Sequence, residues 1–385
     1  MSLRVDLGGR RIIKKKNILP DVIFSPGGLA LELCDELLAQ NVAVTLFSPG
    51  AVTTKANNIT ADLSGFKTEL DLRGDTYLDL LKKHPLTFIT LARQVQAELI
   101  ARAYQMANED LLDIIHVYTN EEDIAFPFAQ FCKKPVVFTH HDPFNFLAGY
   151  RANFPKYKKL NWLSISDDQR KTMPKDTNWR ATVYNALSEK EWPEQSIEKE
   201  AYVAYFGRII EPKATHLAIK AVQKYNQTAA QPLKLKLAGK HYSDEQKKSY
   251  WDTTIRPLLE DPNIEFVGFV KGNQAKQQFL SRAKALIVPS TFNEPFGMVM
   301  IEALACSTPL IGLNSGAIPE VIQDGKTGFL VEKSEDETTT IQGLAHALEK
   351  VEVINPQTCR QDFLDRFTMK QMASQHKEIY KKLVK

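Results

Sequence analysis

Short apolar runs that alternate with helix-like segments are the feature that most constrains the fold of this 385-residue chain. Residues 30–38 place apolar side chains at helical spacing and lead into the continuous apolar run 42–47. Similar runs recur at 113–118, 135–139 and 162–166. Strands that are apolar on both faces and separated by helices are typical of a parallel sheet covered on both sides, so the pattern predicts an α/β fold.

A second series of apolar runs predicts another sheet of the same kind. Its members are 202–206, 233–237, 264–267, 285–289, 310–313 and 329–331. Between the two series, the charged stretch 187–200 contains one Pro and has no strand character, as an exposed connection does. We therefore expect domains 1–195 and 196–368, and periodicity leaves open which of them the basic last helix, about 369–385, packs on.

Composition excludes several classes of protein. A net charge of +3 from 49 basic and 46 acidic residues is too small for a dedicated nucleic-acid binder. No apolar stretch approaches the ~18–20 residues of a membrane span, and the first residues lack the apolar core of a signal peptide. The spacing of Cys34, Cys132, Cys306 and Cys359 indicates neither a disulfide framework nor a zinc site, so we expect four separate thiols in a cytoplasmic protein.

A basic cluster lies near the start of the chain, where apolar positions are too few to predict a strand or a helix. It contains Arg10, Arg11, Lys14, Lys15 and Lys16. Two interpretations stay open, a solvated surface segment or a contact with phosphate or anionic lipid. The second would place the protein peripherally at the inner face of a membrane.

Two glutamates flank a predicted helix start that follows the run 285–289. Glu294 lies in the loop, the helix begins near Gly297, and Glu302 falls in its second turn. The free N–H groups of such a helix start, from about Phe296 onward, favour an anion, and ligands of open α/β sheets bind beyond the carboxyl ends of the strands. A phosphate on these amides with a polyol on the carboxylates would be a nucleotide sugar. The alternative for Glu294 is a first-turn acid that only complements the helix dipole.

Two basic residues follow the run 202–206. Arg208 and Lys213 lie on the loop between this strand and a helix that starts around Thr215. The planar fork of Arg and the compact charge of Lys together suit a diphosphate. Taken alone, basic loop residues are more often plain surface, but these share a sheet edge with Glu294.

The first half has two weaker candidate sites. Gly27 and Gly28 precede the helix 30–40, and a loop there would let the backbone approach a ligand closely. The run 135–139 ends in His140, His141 and Asp142. Metal ligation by this group lacks a partner His or Cys cluster, so we favour a histidine that donates or accepts a hydrogen bond at a ligand site, with a structural role as the alternative.

At this point the sequence resembles a known family, the retaining glycosyltransferases of family 4. The resemblance runs over most of the chain, and its most specific element is the E-x7-E spacing of Glu294 and Glu302 inside P-S-x-x-x-E-P-F-G-x-x-x-x-E-A-L-A. It implies the GT-B architecture, with two facing Rossmann-like domains, parallel sheets and an interdomain cleft.

The resemblance also implies which residues bind the donor nucleotide. Arg208 and Lys213 would bind its diphosphate, and Glu302 would bind the ribose hydroxyls. The Gly27-Gly28 loop would approach the donor phosphates.

Further residues are implied at the transferred sugar. Glu294, with the amides of Phe296 and Gly297, would hold the sugar, and His141 would contact it near the reacting carbon. The departing phosphate would help to deprotonate the acceptor in a front-face substitution, so Glu294 positions the sugar without attacking it.

Three departures from the family pattern stand out. The family usually has Gly where this chain has Ala214, and often Gly-Gly where it has Gly316-Ala317. An apolar first strand is only faintly present, in 3–7 or in 18–24.

The sequence thus predicts a retaining glycosyltransferase that moves a sugar from a nucleoside diphosphate sugar to a hydroxyl acceptor, which is a glycan, a lipid or a small molecule. No cofactor and no metal are expected, because no two aspartates stand two residues apart and the basic residues already supply positive charge at the diphosphate. The alternatives are a nucleotide-sugar 2-epimerase, a glycoside phosphorylase and a non-catalytic nucleotide-sugar binding protein.

Overall fold

Each apolar run singled out in the sequence overlaps a parallel β-strand in the computed structural model, which describes residues 4–6, 25–118, 122–195, 197–241 and 249–384. Backbone contacts divide these residues into two units. The first unit holds the described residues up to Ile165 together with 170–184 and 369–384, and the second holds 166–169 and 185–368. The predicted class, α/β with two domains built on parallel sheets, is confirmed.

The first unit contains two parallel sheets, with strand orders β1-β2-β3 and β4-β5-β6-β7. The strands are β1 (Arg4–Asp6), β2 (Ala43–Ser48), β3 (Asn57–Thr60), β4 (Ile115–Val117), β5 (Val136–Thr139), β6 (Asn161–Ser164) and β7 (Trp179–Thr182). The helices are α1 (Ser25–Ala39), α2 (Ser64–Arg73), α3 (Tyr77–Lys83), α4 (Pro85–Asn108) and α5 (Ala148–Asn153). The short helix α6 (Asp167–Arg170) has its first three residues in the second unit. Every residue of β4 and β5 is buried, as expected of strands covered on both faces.

The helix α4 shows how one apolar face builds the core of this unit. Pro85 occupies its first position, where the missing N–H costs no hydrogen bond. Its buried side chains, among them Val95, Leu99 and Ala103, recur at helical spacing and join the cluster that contains Phe138.

The second unit contains one six-stranded parallel sheet of order β10-β9-β8-β11-β12-β13. Its strands are β8 (Tyr202–Phe206), β9 (Lys234–Ala238), β10 (Ile264–Gly268), β11 (Ala285–Val288), β12 (Leu310–Leu313) and β13 (Gly328–Val331). Its helices are α7 (Thr215–Asn226), α8 (Asn273–Ser281), α9 (Met298–Ala305), α10 (Ile318–Val321), α11 (Glu337–Lys350) and α12 (Pro356–Arg366). The chain runs outward from β8 to β10 and then returns to β11 on the other side, so the strand order reverses between β8 and β11.

The C-terminal helix α13 (Met369–Val384) belongs to the first unit. Gln40, just after α1, donates through Nε2 to the Lys370 carbonyl at 2.9 Å, and Lys377 Nζ donates to the Gln40 carbonyl at 2.6 Å. The Tyr380 hydroxyl lies 2.7 Å from His116 Nδ1 in the interior. These contacts answer the question that periodicity left open.

The division between the units precedes the predicted boundary at 195/196. The second unit begins at Asn185 and includes the charged stretch 187–200. Trp192 is buried, its carbonyl accepts a hydrogen bond from Arg360 Nη1 at 2.8 Å, and the Leu187 amide donates to the Phe367 carbonyl at 2.9 Å. The composition of the stretch reflects its exposed charges, whereas a few apolar side chains hold it on the unit.

The start of the chain is described in part. The strand β1 lies within 3–7, one of the two faint candidates for a first strand, and its Val5 pairs in parallel with Val44 of β2. The other candidate, 18–24, and the basic cluster of Arg10, Arg11 and Lys14 to Lys16 lie outside the described residues.

Candidate active site

The loops that follow β8 and β11 bring Lys213 and Glu294 together in the second unit. Lys213 Nζ pairs with Glu294 Oε1, and the two side chains are 22% and 6% exposed. Ser290 Oγ donates to the same carboxylate oxygen at 2.6 Å. Because the strand order reverses between these two strands, this is where an open α/β sheet binds its ligand.

A pocket of ≈ 330 Å³, open to solvent, lies at this position. Its wall consists of Tyr205, Phe206, Lys213, Ile287, Val288, Pro289, Ser290, Glu294, Gly297 and Val299. Three predicted site residues, Lys213, Glu294 and Gly297, therefore share one cavity.

Two glycines shape the loop that carries Glu294. Gly297, with φ of 93°, adopts the left-handed conformation at the N-cap of α9, so the helix starts beside the pocket. Gly316, with φ of 58°, packs so closely that a Cβ there would lie 2.4 Å from the Glu294 amide nitrogen. The Ala317 amide donates to the Glu294 carbonyl at 2.9 Å, so Gly316-Ala317 supports the glutamate loop from behind.

Phe296 anchors this loop in the interior. Its ring is 1% exposed and lies 6.1 Å from the ring of Phe367, centroid to centroid. The predicted contribution of Phe296, its backbone amide, thus comes from a residue whose side chain is held by the core.

Ala214, which follows Lys213 in the basic loop, has a backbone conformation that is usually found at glycine. Ala214 is fully buried and adopts the left-handed conformation, with φ of 48° and ψ of 44°, between a short 3₁₀ turn (Glu211–Lys213) and α7. Glycine is the usual residue in this conformation, which costs other residues roughly 1–2 kcal/mol. The alanine therefore keeps the backbone path that a glycine would follow.

Arg208 lies on the same loop but outside the wall of the pocket. Its side chain is exposed, and its carbonyl accepts a hydrogen bond from the Tyr205 hydroxyl at 2.9 Å. The structure thus brings Lys213, and not Arg208, to Glu294.

Glu302 makes a second ion pair on α9. Its Oε1 lies 2.7 Å from Lys276 Nζ of α8, and this ammonium lies 5.5 Å from the centroid of Phe206, which lines the pocket. Sequence reasoning missed Lys276, because a single lysine in a Gln-rich helix carries no motif. It also passed over Ser290, although Pro289-Ser290 stands inside the quoted motif.

His141 lies in the first unit, at the carboxyl end of β5. It is buried, and burial together with the neighbouring His140 and His376 lowers its pKa to about 3. A ring N–H donates to the Tyr118 carbonyl, and among the described residues Nε2 has no hydrogen-bond partner. The side chain is therefore a neutral imidazole whose Nε2 is a hydrogen-bond acceptor.

His140 packs among aromatic rings. The rings of Tyr150 and Phe154 lie 4.7 and 4.9 Å from it, centroid to centroid. In the part of the chain that the structure describes, no cluster of three or more His, Cys, Asp or Glu side chains is arranged to hold a metal ion. The four cysteines are free thiols.

Gly27 and Gly28 lie in the first turn of α1, so the predicted loop before this helix is wrong. The helix extends back to Ser25 because Pro26 is tolerated in a first turn, where its missing N–H has no partner to lose. A Cβ at Gly28 would meet nothing within 4 Å, so open space remains beside it. Contact of these glycines with donor phosphates stays a prediction.

Comparisons with known proteins match part of the chain to a family of transferases. Residues 188–356 match the family described as glycosyl transferases group 1. The alpha-maltose-1-phosphate synthase of Mycolicibacterium smegmatis is 26% identical over 242 residues, which cover 57% of this chain and 61% of that protein. The chain spans about three fifths or less of the length of the curated relatives it matches.

Solved structures match over nearly the whole chain. The sucrose-phosphate synthase of Thermosynechococcus elongatus has a TM-score of 0.70 at 17% identity, covering 99% of both chains. Anabaena Alr3699/HepE in complex with UDP-glucose has a TM-score of 0.64 at 16% identity, covering 99% of this chain and 100% of that one. At such identities the likeness shows the fold, which is GT-B.

The fold is GT-B, as the sequence predicted, and the segment 188–356 is similar to the glycosyl transferases of group 1. The narrower assignment to family 4 and the significance of the E-x7-E spacing stay predictions. Among the described residues, no helix has the length and apolar character of a membrane span.

Proposed function

We propose that this protein is a retaining glycosyltransferase that moves a sugar from a nucleoside diphosphate sugar to a hydroxyl acceptor without a divalent ion. The observation that carries the proposal is the Lys213–Glu294 pair beside the start of α9, at the reversal of strand order. A cation, free helix amides and a carboxylate at one point suit a ligand with phosphate at one end and hydroxyls at the other.

The diphosphate would bind to Lys213, to Arg208 and to the first-turn amides of α9. These groups supply positive potential where charge develops on the leaving group, which is the main catalytic task in this reaction. When phosphate enters, Lys213 exchanges its partner Glu294 for the phosphate oxygens. This supply of charge is the physical argument for metal independence.

The sugar would bind to Glu294. Ser290 and Lys213 both contact Oε1, so Oε2 remains to accept hydrogen bonds from sugar hydroxyls. Glu302 would accept from the ribose hydroxyls. These separate partners distinguish the two glutamates of the E-x7-E spacing.

His141 would contact the sugar as an acceptor. Its N–H is occupied by the Tyr118 carbonyl, so Nε2 would receive a hydrogen bond from a sugar hydroxyl near the reacting carbon. Retention of the anomeric configuration and front-face substitution rest on the family resemblance alone.

The first experiment is a thermal-shift screen against UDP, GDP and ADP sugars. The solved complex of Anabaena Alr3699/HepE with UDP-glucose makes that donor the first to try. A ligand at ~100 times its dissociation constant stabilises a protein by roughly 2.7 kcal/mol. No shift with any of these donors would contradict the proposal.

The second experiment follows the reaction. With the donor that binds, the product anomer is assigned by NMR in the presence of excess EDTA. We expect a retained anomer and undiminished activity; an inverted anomer would overturn the family assignment, and activity that needs added magnesium or manganese would overturn metal independence. Donor alone and disaccharide with phosphate are parallel incubations that detect an epimerase or a phosphorylase.

A further inference from the structure

Lys276 forms a fixed ion pair that no sequence motif indicates. Its Nζ lies 2.7 Å from Glu302 Oε1, and the two side chains are only 24% and 8% exposed. The next residue, Gln277, is buried and accepts a hydrogen bond from Gln195 Nε2 at 2.8 Å, which holds α8 in place. The ammonium group is therefore presented by an anchored helix.

This pair lies beside the same pocket as the Lys213–Glu294 pair. The Lys276 ammonium is 5.5 Å from the ring centroid of Phe206, and Phe206 lines the pocket with Lys213 and Glu294. The second unit thus holds one Lys–Glu pair in the pocket wall and a second pair next to Phe206 of that wall.

A nearly buried carboxylate beside a diphosphate site needs a nearby cation. Without one, burial raises the pKa of the carboxyl, and the ionised form repels an anionic ligand. Among the described residues, Lys276 is the only side chain that donates a hydrogen bond to the Glu302 carboxylate, and it binds Oε1. The other oxygen, Oε2, is left to accept from a ligand.

We propose that Lys276 is a positioning residue that holds Glu302 oriented toward the ribose hydroxyls of a nucleoside diphosphate, so that it sets the preference for ribose over dideoxyribose. The inference rests on the proposed function, in which Glu302 is the ribose ligand. Lys276 acts through Glu302, while Lys213 and Arg208 bind the phosphates.

The test measures by calorimetry how tightly the protein binds UDP and 2′,3′-dideoxy-UDP. If the wild type binds ADP or GDP more tightly than UDP, that nucleotide and its dideoxy analogue are used instead. Lost hydrogen bonds to a charged group correspond to roughly tenfold or more in affinity, so we expect the wild type to prefer the ribonucleotide by about that factor. In Lys276→Met we expect the ribonucleotide and its dideoxy analogue to bind with nearly equal affinity. Lys271→Met is the matched control, because this exposed lysine lies just before α8, and we expect it to keep the preference.

Two further variants separate positioning from general damage to the fold. Lys276→Arg keeps the charge and restores the preference. The double variant Lys276→Met with Glu302→Gln leaves no buried unpaired charge and shows the same low preference, even where Lys276→Met alone is unstable. If Lys276→Met and the double variant both prefer the ribonucleotide as strongly as the wild type does, the inference is overturned.

The outcomes for the wild type distinguish the two proposals. Wild-type protein that binds none of UDP, ADP and GDP contradicts the proposed function, and the role of Lys276 with it. Wild-type protein that binds one of them yet does not discriminate against its dideoxy analogue contradicts the role of Lys276 alone.

Discussion

The two units place polar groups in their interiors in opposite ways. In the second unit, two buried carboxylates, Glu294 and Glu302, each pair with a lysine. In the first unit, the buried polar groups are neutral: His116, His376 and Tyr380 lie together among aromatic rings. A binding site for an anion requires charged side chains in place before the ligand binds. The interior that packs against the C-terminal helix α13 requires only hydrogen bonds between neutral groups.

Burial has a different consequence in each region. In the first unit it lowers the pKa of His376 to about 4 and that of His116 well below its usual range, so both imidazoles stay neutral. In the second unit, removal of the lysine partner of Glu294 or Glu302 leaves an uncompensated buried charge. The contrast predicts that diphosphate binding responds to changes in the second unit, and acid stability to changes in the first.

Replacement of the sugar-side carboxylate gives the largest expected effect. Glu294→Gln keeps the shape of the side chain but removes the charge, and we expect turnover to fall by about 10²–10³, the usual loss for a preorganised group at the reacting centre. Affinity for free nucleoside diphosphate stays within about threefold. Steady-state kinetics measure the turnover, and calorimetry measures the affinity for the diphosphate. A loss of diphosphate affinity as large as the loss of turnover would show that Glu294 does not bind the sugar.

Removal of a basic residue tests the phosphate site. Lys213→Ala and Arg208→Ala each remove charge-assisted hydrogen bonds worth roughly 1.5–3 kcal/mol, so the diphosphate should bind about ten- to a hundredfold more weakly. Lys220→Ala is the matched control, because Lys220 pairs with Glu337 and does not line the pocket. If both test variants bind the diphosphate as tightly as the wild type does, Lys213 and Arg208 do not belong to the phosphate site.

Acidification should weaken the first unit before the second. Below a pH of about 6.5 the histidines of the unfolded chain become protonated. In the folded protein, the lowered pKa values keep His376 neutral down to pH about 4 and His141 neutral down to pH about 3. Unfolding free energy therefore falls as pH drops from about 6.5 to 4, by at most ~1.4 kcal/mol per pH unit for each histidine. The second unit has a smaller contribution of the same sign from the half-buried His216.

Hydrogen exchange at pH 7.5 and 5 measures this difference helix by helix. We expect α13 to lose protection at pH 5 more than α7, and His376→Gln to reduce the loss. Earlier loss in α7 would contradict the contrast between the two units.

The smallest effect is expected at Ala214. Ala214→Gly relieves a left-handed alanine, worth roughly 1–2 kcal/mol, but adds chain entropy of about 0.5–1 kcal/mol in the unfolded state. The two changes nearly cancel, so urea unfolding should shift by no more than about 1 kcal/mol. A larger loss would mean that the buried methyl group contributes more to packing than its backbone conformation costs.

The sequence alone determined the α/β class, the strands at the apolar runs and the loops that carry Lys213 and Glu294. The partly exposed strands β3 and β7 have no such run. Buried parallel strands read as continuous apolar runs, and the E-P-F-G segment marks a helix start, so local pattern is sufficient for both. The course of 187–200 was harder to predict, because two buried side chains, Leu187 and Trp192, hold a stretch whose remaining residues are mostly polar.

Only the tertiary structure decided which side chains meet. Lys276 and Glu302 stand 26 residues apart, and His116 and Tyr380 stand 264 apart; neither pair has a local signal. The assignment of α13 to the first unit, and of Gly27 and Gly28 to the helix α1 instead of a loop, also came from the structure. Local sequence sets the period of an element, whereas the partners of a buried charge or imidazole depend on packing between distant segments, which no single stretch of sequence encodes.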